Sequence, residues 1–365
     1  MTHRIVVLGA GYAGLGAAGR AARLLGDRAR VTLVNATDHF VERVRLHQLA
    51  AGQPLPALPL ADLLEGTGVE LVVARVTGID LDARVLRVDA APGALPYDVL
   101  VYAPGSGAEV DAVPGVREHA LTVAQADGAG RLRSLLPELS SVTVVGGGLT
   151  GLETAAELAA AHPRLRVELV TAGRIGAGLS ERARRHLHDA FARLDVRVRE
   201  HSPVAEVGGG GLLLADGRKA PADAVVWTAG FRVPDLAAAS GLAVDGAGRV
   251  AVDATLRSVS HPDVLAVGDA ADVGGRSRMS CQTALPMGRY AGRAVADLLA
   301  GRTPPPHRVR YLWTNVSLGR RDGVTQFARA DDSPLPAVLT GRASALFKEA
   351  VTRGTVARLR HPGLR

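Results

Sequence analysis

Two glycine-rich turns carry the clearest chemical signal in the sequence. They read Gly9-Ala-Gly-Tyr-Ala-Gly14 and Gly146-Gly-Gly-Leu-Thr-Gly151, so the pattern recurs after about 137 residues. In a turn of this kind the first glycine forms the bend, the second lets a pyrophosphate approach the backbone, and the third packs the helix on the preceding strand. The helix N-terminus adds N–H donors and the positive end of its dipole. The two turns therefore predict two separate dinucleotide-binding sites.

The segments around each turn repeat the order strand, helix, strand. The predicted strands are 4–8, 31–35, 69–76, 84–88, 98–102, 142–145, 167–171, 196–199, 211–214, 224–228 and 264–270, and the predicted helices run to about residues 25 and 161 and from about 284 to 299. This order is typical of parallel sheets with crossover helices. We predict an α/β fold with two Rossmann-like three-layer domains and a small C-terminal α+β piece.

Composition narrows the class of protein. A chain of 365 residues with 47% hydrophobic and 3% aromatic residues suits two domains with close helix-on-sheet packing. The net charge of +7 comes almost entirely from scattered arginines, so we expect no nucleic-acid partner; an anionic cofactor, membrane or acidic protein is the class of partner that remains. The single cysteine, Cys281, excludes an intrachain disulfide, and no metal site is indicated. Without a leader or a long apolar run, we expect a cytoplasmic protein.

The residues that would contact the cofactor ribose are unusual in both units. An acidic residue usually stands about 20 residues after the last glycine and binds the ribose hydroxyls. Here the first unit ends in Asn35, which can both donate and accept, and the second ends in Thr171, with Arg174 close behind. The missing carboxylate removes repulsion toward a 2′-phosphate, and Arg174 can pair with one, so we predict that NADPH is favoured over NADH. Alternatively, Arg174 is a solvated loop residue.

An ordered set of motifs gives the chain a family resemblance over about residues 4–300. It consists of the two turns, Tyr97-Asp-Val-Leu-Val-Tyr-Ala-Pro-Gly-Ser106, the Glu153 that follows the second turn, Trp227-Thr-Ala-Gly230 and Ala266-Val-Gly-Asp269. In this order they resemble the pyridine nucleotide-disulfide oxidoreductase superfamily, and within it the type II NADH dehydrogenase-like branch, which lacks the redox disulfide. The resemblance implies an FAD-binding domain from 1–112 and 246–300, an inserted NAD(P)H-binding domain from 113–245, and a C-terminal interface or substrate region from 301–365.

The resemblance also assigns residues to the two cofactors. The implied FAD-binding residues are Gly9, Gly11, Tyr12, Ala13, Gly14, Asn35, Ala103, Pro104, Gly105, Gly268, Asp269, Gln282, Thr283 and Ala284. The implied NAD(P)H-binding residues are Gly146, Gly148, Leu149, Thr150, Gly151, Thr171, Arg174, Ala229 and Gly230. Asp269 would accept hydrogen bonds from an FAD hydroxyl or, alternatively, cap a helix. Gln282 and the N–H groups of Thr283 and Ala284 would face the pyrimidine edge of the flavin.

Three residues are implied in catalysis. Glu153 lies where the family keeps a glutamate near the meeting of nicotinamide and flavin, although the helix dipole alone also favours an acid early in a helix. Arg45 and His47 stand beside the expected flavin ring, where many members have a proline and an aromatic residue. Arg45 would stabilise an anionic reduced flavin, and His47 would exchange protons near neutral pH. Alternatively, His47 is a packing residue.

The resulting expectation is an FAD-dependent NAD(P)H oxidoreductase. It would transfer hydride from the nicotinamide to flavin N5 and then two electrons to a quinone or another small acceptor. Two alternatives remain: a soluble tailoring flavoenzyme or reductase of a partner redox protein, and a low-turnover nucleotide-binding redox sensor. The segment 340–365 places Phe347, Val351 and Leu359 among arginines, which would suit peripheral contact with an anionic membrane. A homodimer through the C-terminal piece is an analogy with the superfamily.

Overall fold

The computed structural model describes residues 2–275 and 277–360. Its strands are β1 (His3–Leu8), β2 (Ala29–Asn35), β3 (Val69–Val73), β4 (Val76–Asp80), β5 (Val85–Val88), β6 (Ala94–Pro96), β7 (Val99–Tyr102), β8 (Gly107–Ala108), β9 (Ala120–Thr122), β10 (Ser141–Val145), β11 (Arg166–Val170), β12 (Arg197–Arg199), β13 (Val204–Gly208), β14 (Gly211–Leu214), β15 (Lys219–Pro221), β16 (Ala224–Trp227), β17 (Phe231–Arg232), β18 (Val250–Ala251), β19 (Val264–Ala266), β20 (Ala271–Asp272), β21 (Trp313–Ser317), β22 (Gly323–Ala328) and β23 (Pro334–Thr340). Its helices are α1 (Tyr12–Leu25), α2 (Leu46–Ala50), α3 (Leu60–Leu64), α4 (Val116–His119), α5 (Ala126–Leu135), α6 (Leu149–Ala161), α7 (Glu181–Arg193), α8 (Leu236–Ala239), α9 (Cys281–Leu299) and α10 (Gly341–Arg360).

The first parallel sheet has the strand order β19-β7-β1-β2-β3. Its central strand β1 pairs Ile5 with Val31 on one side and with Val99 on the other. Residues 5–8 are all buried, as expected for a strand covered on both faces. Helices α1 and α9 and the antiparallel sheet β4-β5-β6 contribute to the same hydrophobic core. The carboxyl ends of β1, β2, β7 and β19 therefore meet at one edge, next to the first glycine-rich turn.

The second parallel sheet has the order β12-β11-β10-β16-β9 and repeats this plan. Alternate residues of a strand point to opposite faces. Along β16, Val226 joins a core with α5, α6 and α7, whereas Val225 and Trp227 join a core with the antiparallel sheet β13-β14-β15. Helices therefore cover one face of the sheet and the antiparallel sheet covers the other. The predicted α/β class with three-layer Rossmann-like units is confirmed.

Close glycine contacts hold α9 against α1. A Cβ atom on Gly288 would lie 2.0 Å from the carbonyl oxygen of Ala13, and one on Gly292 would lie 2.5 Å from that of Ala17. The two helix backbones therefore touch directly. This contact fixes the N-terminus of α9 beside the first glycine-rich turn.

The strand predicted over 264–270 is shorter than expected. It ends at Ala266, and Gly268–Ala270 forms a 3₁₀ turn. Gly268 has φ +70°, a left-handed conformation that a strand does not contain and that glycine adopts without strain. The bend places Asp269 beyond the end of the sheet.

The C-terminal region combines the antiparallel sheet β21-β22-β23 with the 20-residue helix α10, which confirms the predicted α+β piece. The ring of Phe347 on this helix packs edge-on against Trp313, with centroids 5.3 Å apart, and Leu359 is buried. Two of the three apolar residues expected to face a membrane therefore pack against the protein. Residues 361–365 of that segment lie outside the described residues. Within the described ranges, no helix combines the length and the hydropathy that crossing a bilayer requires.

Candidate functional site

The first glycine-rich turn forms an open cradle at the N-terminus of α1. Gly9 has φ +96°, and a Cβ there would lie 2.3 Å from the carbonyl oxygen of Ala103. A Cβ on Gly14 would lie 1.7 Å from the carbonyl oxygen of Gly9, whereas one on Gly11 would meet nothing within 4 Å. Two glycines are thus required by the fold, and Gly11 faces open space. No side chain caps α1 and no acid stands in its first turn, so its dipole favours an anion there.

The second turn has the same geometry at the N-terminus of α6. Gly146 has φ +127°, and a Cβ on Gly151 would lie 1.9 Å from the carbonyl oxygen of Gly146. A Cβ on Gly148 would meet nothing within 4 Å. This helix also lacks a capping side chain and an acid in its first turn. Each turn is therefore shaped to receive a pyrophosphate at its middle glycine.

The side chain of Asn35 is largely engaged with the turn beside it. Its Oδ1 accepts the backbone N–H of Ala10 at 3.0 Å, and its Nδ2 donates to the carbonyl oxygen of Thr37 at 2.8 Å. An amide oxygen has two lone pairs, so one acceptor position remains for a ribose hydroxyl. Asn35 thus braces the first turn and keeps the capacity to accept one hydrogen bond.

In the second unit, Thr171 is buried against the turn and Arg174 is exposed. A Cβ on Gly147 would lie 2.7 Å from Oγ1 of Thr171, so this side chain covers the glycine closely. The side chain of Arg174 is 52% exposed and its Nη1 lies 3.6 Å from Glu181 Oε1. Arg174 therefore lies in solvent near the end of β11. This position is compatible with a contact to a 2′-phosphate and with a solvated loop residue.

Asp269 lies in a compact polar cluster with Ser106 and Arg43. Ser106 Oγ donates to Asp269 Oδ2 at 2.7 Å, and Arg43 Nη1 donates to the same oxygen at 3.2 Å. The guanidinium carbon of Arg43 lies 4.9 Å from the ring centroid of Phe231. Asp269 lies inside the 3₁₀ turn, a strand follows it at Ala271–Asp272 and the next helix begins only at Cys281, so the structure does not support the capping alternative for Asp269. The carboxylate of Asp269 can instead accept a further hydrogen bond from a hydroxyl group of a polyol.

The start of α9 differs in part from the expected flavin contact. The N–H groups of Thr283 and Ala284 donate to the carbonyl oxygen of Ser280 at 3.3 and 3.0 Å. These two donors are therefore engaged within the helix, unlike in our prediction. Gln282 Oε1 is buried and has no hydrogen-bond partner among the described residues. Because Pro286 has no N–H, the carbonyl oxygen of Gln282 also lacks its helical donor.

Glu153, in the second dinucleotide unit, contacts residues of the first unit and of the C-terminal region. Its Oε1 accepts the backbone N–H of Ser317 at 3.0 Å and pairs with Nζ of Lys348 from α10. Its Oε2 lies 3.7 Å from Nδ1 of His47. Glu153 stands beyond the first turn of α6, so the helix dipole does not account for it. We refer to Glu153, Lys348, His47 and Ser317 as the glutamate cluster.

His47 is fully buried in this cluster, and its Nε2 has no hydrogen-bond partner among the described residues. It is therefore not a satisfied packing histidine. Burial lowers its pKa well below the ordinary value, and the charges of Lys348, Arg320 and Arg45 act in the same direction. The imidazole is neutral at neutral pH, so the expected exchange of protons by His47 near pH 7 is not supported. A neutral imidazole remains able to donate or accept one hydrogen bond at Nε2.

Arg45 contacts acids on both sides. It donates to Glu42 at 3.2 Å and makes two 2.9 Å hydrogen bonds with the carboxylate of Glu349 on α10. A bidentate pair of this kind fixes both groups. Arg45 thus joins the segment before α2 to the C-terminal helix. Its guanidinium is engaged by these two acids, so the structure does not support the predicted role of Arg45 beside a flavin.

The ion pair of Glu349 gives a pH prediction. Hydrogen bonds from Arg45 hold the pKa of Glu349 at about 2, below its ordinary 4.5. The folded protein thus favours the carboxylate, so this stability is present above pH 4.5 and is lost as pH falls toward 2. After allowance for solvent screening, we expect E349Q to lower the free energy of unfolding by about 1–2 kcal/mol at pH 7, and by less as pH approaches 3. Urea unfolding at several pH values measures this difference, and a loss independent of pH contradicts it.

The site residues fit FAD and a pyridine dinucleotide. Both cradles are open at their middle glycine, where a pyrophosphate would fit, and Asp269 offers acceptors for hydroxyl groups. The buried, unpartnered Gln282 Oε1 and His47 Nε2 are polar atoms that a ligand can satisfy. Burial raises the pKa of Cys281 to about 11, so its thiol is protonated and carries no redox relay. No group of three or more metal-ligating side chains occurs in the residues that the structure describes.

Sequence reasoning missed four of these residues as site residues: Arg43, Ser106, Ser317 and Lys348. Ser106 is the last residue of the Ala-Pro-Gly-Ser motif, so the motif could have identified it as a site residue. Lys348 is 195 residues from Glu153, and no local spacing signals such a pair. Its rarity is the only sequence signal, because the chain has lysine at just two positions, 219 and 348.

Comparisons of sequence and fold with known proteins indicate the same class of protein as the geometry of the site. The family model for pyridine nucleotide-disulphide oxidoreductases matches residues 3–288. An NADH dehydrogenase-like protein of Mycobacterium tuberculosis is 36% identical, with 88% of this chain and 87% of that protein covered. A type II NADH:quinone oxidoreductase of Staphylococcus epidermidis is 27% identical, with 99% and 97% covered. The sulfide:quinone oxidoreductase of Aquifex aeolicus shares the fold, with a TM-score of 0.85 at 20% identity and 99% and 92% coverage. The resemblance seen in the motifs is confirmed: the chain belongs to the pyridine nucleotide-disulphide oxidoreductase family and is an oxidoreductase.

Proposed function

We propose that the protein is an FAD-dependent NAD(P)H oxidoreductase that reduces a quinone or a similar small acceptor. The observation that carries this proposal is the glutamate cluster. There Glu153 from the second dinucleotide unit contacts His47 from the first unit and Lys348 from the C-terminal helix. The cluster therefore joins the two dinucleotide units and the C-terminal region. The type II NADH:quinone oxidoreductase of Staphylococcus epidermidis, a relative at 27% identity, supports the same class of acceptor.

The chain's own residues would bind, orient and shield the reactants. The first cradle, Asn35 and the cluster of Asp269, Ser106 and Arg43 would hold FAD. The second cradle, Thr171 and Arg174 would hold the pyridine dinucleotide. When bound, FAD supplies the redox chemistry, as acceptor of hydride from the nicotinamide and donor of two electrons. Glu153, fixed by Ser317 and Lys348, would position the nicotinamide where the units meet.

A spectroscopic experiment tests the proposal. The purified protein should absorb at about 450 nm, and anaerobic NADPH or NADH should bleach that band, as expected for a bound flavin. A water-soluble quinone should then restore it and support continuous NAD(P)H oxidation. A protein without flavin, or one whose flavin NAD(P)H does not reduce, contradicts the proposal. Bleaching without turnover favours the redox-sensor alternative.

We propose that NADPH is favoured, because Arg174 is exposed beside a strand end that lacks an acid. Replacing Arg174 by alanine should raise KM for NADPH about tenfold, since a charge-assisted contact with the 2′-phosphate is lost, and should leave KM for NADH unchanged. Arg218, a 62% exposed arginine of the same unit, provides the matched R218A control. Steady-state kinetics with both coenzymes measures the effect. A wild-type enzyme that prefers NADH tenfold in kcat/KM contradicts the proposal.

A partner redox protein is the second candidate acceptor. Arg320, Arg321, Arg342 and Lys348 line a cavity of about 160 Å³ together with one acid, Glu349. Such a basic rim, on a chain of net charge +7, suits an acidic partner. The rate with an acidic redox protein should fall steeply with added salt, whereas the rate with an uncharged quinone should not. Peripheral membrane contact and a homodimer stay predictions.

A further inference from the structure

The side chain of Arg43 makes three contacts beside the strands β8 and β17, which we call the connecting ribbon because the inserted unit leaves and re-enters the first unit there. Its Nη1 donates to Ser106 Oγ at 2.9 Å and to Asp269 Oδ2 at 3.2 Å. Its guanidinium carbon lies 4.9 Å from the ring centroid of Phe231. Ser106 directly precedes β8, and Phe231 is the first residue of β17. Arg43 therefore contacts both arms of the ribbon and the carboxylate that is expected to bind FAD.

The connecting ribbon is short and contains glycine. It pairs Phe231 with Ala108 and Arg232 with Gly107, and its strands have no further paired residues. Gly230, which precedes β17, has φ +93°, a left-handed conformation that glycine adopts without strain. Hinges in proteins are a few residues of this kind at the ends of elements. Side-chain contacts with the ribbon therefore contribute to the orientation of the inserted unit.

The segment that carries Arg43 also packs against the body of the inserted unit. Arg43 lies in the 3₁₀ turn directly before α2. Leu46 and Ala50 of α2 are buried in the same hydrophobic core as Leu132 of α5 and Leu152 of α6. One short segment of the first unit thus contacts the inserted unit twice, through Arg43 at the ribbon and through α2 at the helices.

We propose that Arg43 and Phe231 are positioning residues that fix the inserted unit relative to the flavin site. This inference rests on the proposed function, because it concerns the place where the nicotinamide meets the flavin. Asp269 anchors Arg43, and their side chains are only 29% and 13% exposed, so solvent screens this contact weakly. The ring of Phe231 passes the position of the guanidinium on to β17. A displacement of about 1 Å between reacting groups can slow a reaction about a hundredfold, so the rate of flavin reduction depends on this orientation.

The kinetic test compares F231L with F231Y in the FAD-bound protein. Leucine keeps an apolar side chain but removes the ring, whereas tyrosine keeps the ring that attracts the guanidinium. We expect F231L to lower the limiting rate of anaerobic flavin reduction by NAD(P)H about fivefold, and F231Y to stay within about twofold of wild type. The Kd for ADP-ribose, which has no nicotinamide and reports on the second cradle, should change less than about twofold in both. R232A removes an exposed ion pair of the same ribbon with Asp111 and is the matched control, with a rate within about twofold of wild type.

Amide hydrogen exchange measures the same contact without catalysis. The N–H of Glu109 donates to the carbonyl oxygen of Gly230 at 3.2 Å, next to the paired residues of the ribbon. Peptides that contain residues 107–111 should exchange about fivefold faster in F231L than in wild type, and within about twofold of wild type in F231Y. In R43M, the further change F231L should speed this exchange less than about twofold, because the contact between the two side chains is already lost.

Three outcomes overturn the inference. Equal effects of F231L and F231Y would show that the aromatic ring is not needed. The same acceleration of exchange by F231L in R43M as in wild type would show that Phe231 does not act through Arg43. F231L protein that matches wild type in both flavin reduction and exchange would show that the contact fixes nothing. If NAD(P)H does not reduce the flavin of the wild type at all, the proposed function fails instead, and the exchange measurements still decide the role of Arg43 and Phe231.

Discussion

Replacement of Gly11 by valine is expected to give a folded protein that contains no flavin. Gly11 has φ −76° and ψ −172°, a conformation open to any residue, and its Cβ position meets no atom within 4 Å. The added side chain therefore fits the protein but fills the space of the pyrophosphate. We expect FAD affinity to fall at least a hundredfold, which is about 2.7 kcal/mol. Absorbance at about 450 nm and circular dichroism of the same sample measure the two effects.

The same substitution in the second turn provides the matched comparison. Gly148 has φ −79° and ψ 178° and equally open surroundings. G148V should keep its flavin but resist reduction by NAD(P)H, while dithionite still reduces it. Gly14 is the structural control, because a Cβ there would lie 1.7 Å from a backbone oxygen and G14A should impair folding itself. If the G11V protein keeps its flavin, the FAD pyrophosphate does not bind at Gly11 and the prediction is wrong.

The buried pair of Glu153 and Lys348 is expected to give the largest change in stability. Their side chains are only 11% and 15% exposed. Removing one partner strands the other charge in the interior, so E153Q and K348M should each lower the free energy of unfolding by about 3 kcal/mol. In E153Q/K348M no charge is stranded, and the loss should be well below the sum of the two single losses.

Urea unfolding followed by the fluorescence of Trp227 and Trp313 measures this cycle. The control is the surface pair of Arg30 and Glu70, which are 66% and 48% exposed. R30A should cost less than about 0.5 kcal/mol. Strictly additive losses in E153Q/K348M contradict the coupling. K348M should also raise the pKa of His47, because the charge of Lys348 is one cause of its lowering.

Local features were predictable from sequence, and long-range pairings were not. Glycine spacing signals each cradle because the bend and the helix start depend on adjacent residues. Helix α10 gave a weak signal because Gly341, Gly354 and two threonines lower its intrinsic helix propensity; packing on β22 stabilises it instead. Helices α5, of 10 residues, and α7, of 13 residues, bury one face in the core of the second unit.

The segment from Arg43 to His47 shows why site residues are harder to predict than elements. Both Arg43 and Arg45 lie in one 3₁₀ turn, yet Arg43 reaches Asp269 and Arg45 reaches Glu349. Composition cannot tell which arginine faces which acid, since the acids arrive from distant parts of the chain. The family resemblance assigned Asp269 to an FAD hydroxyl, which stays a prediction, and the direction of each neighbouring side chain depends on tertiary packing.

The inserted unit enters and leaves the first domain through two adjacent strands. β8 and β17 pair antiparallel, with Ala108 opposite Phe231 and Gly107 opposite Arg232. The ends of the insertion therefore lie side by side, which is the arrangement that tolerates domain insertion. We expect the unit that recombination can exchange to be residues 109–230 rather than 113–245, because Ala237 and Leu242 belong to the core of the first unit. We therefore expect that a chimera joined between β8 and β17 would exchange the proposed coenzyme site and leave the first unit and the C-terminal region unchanged.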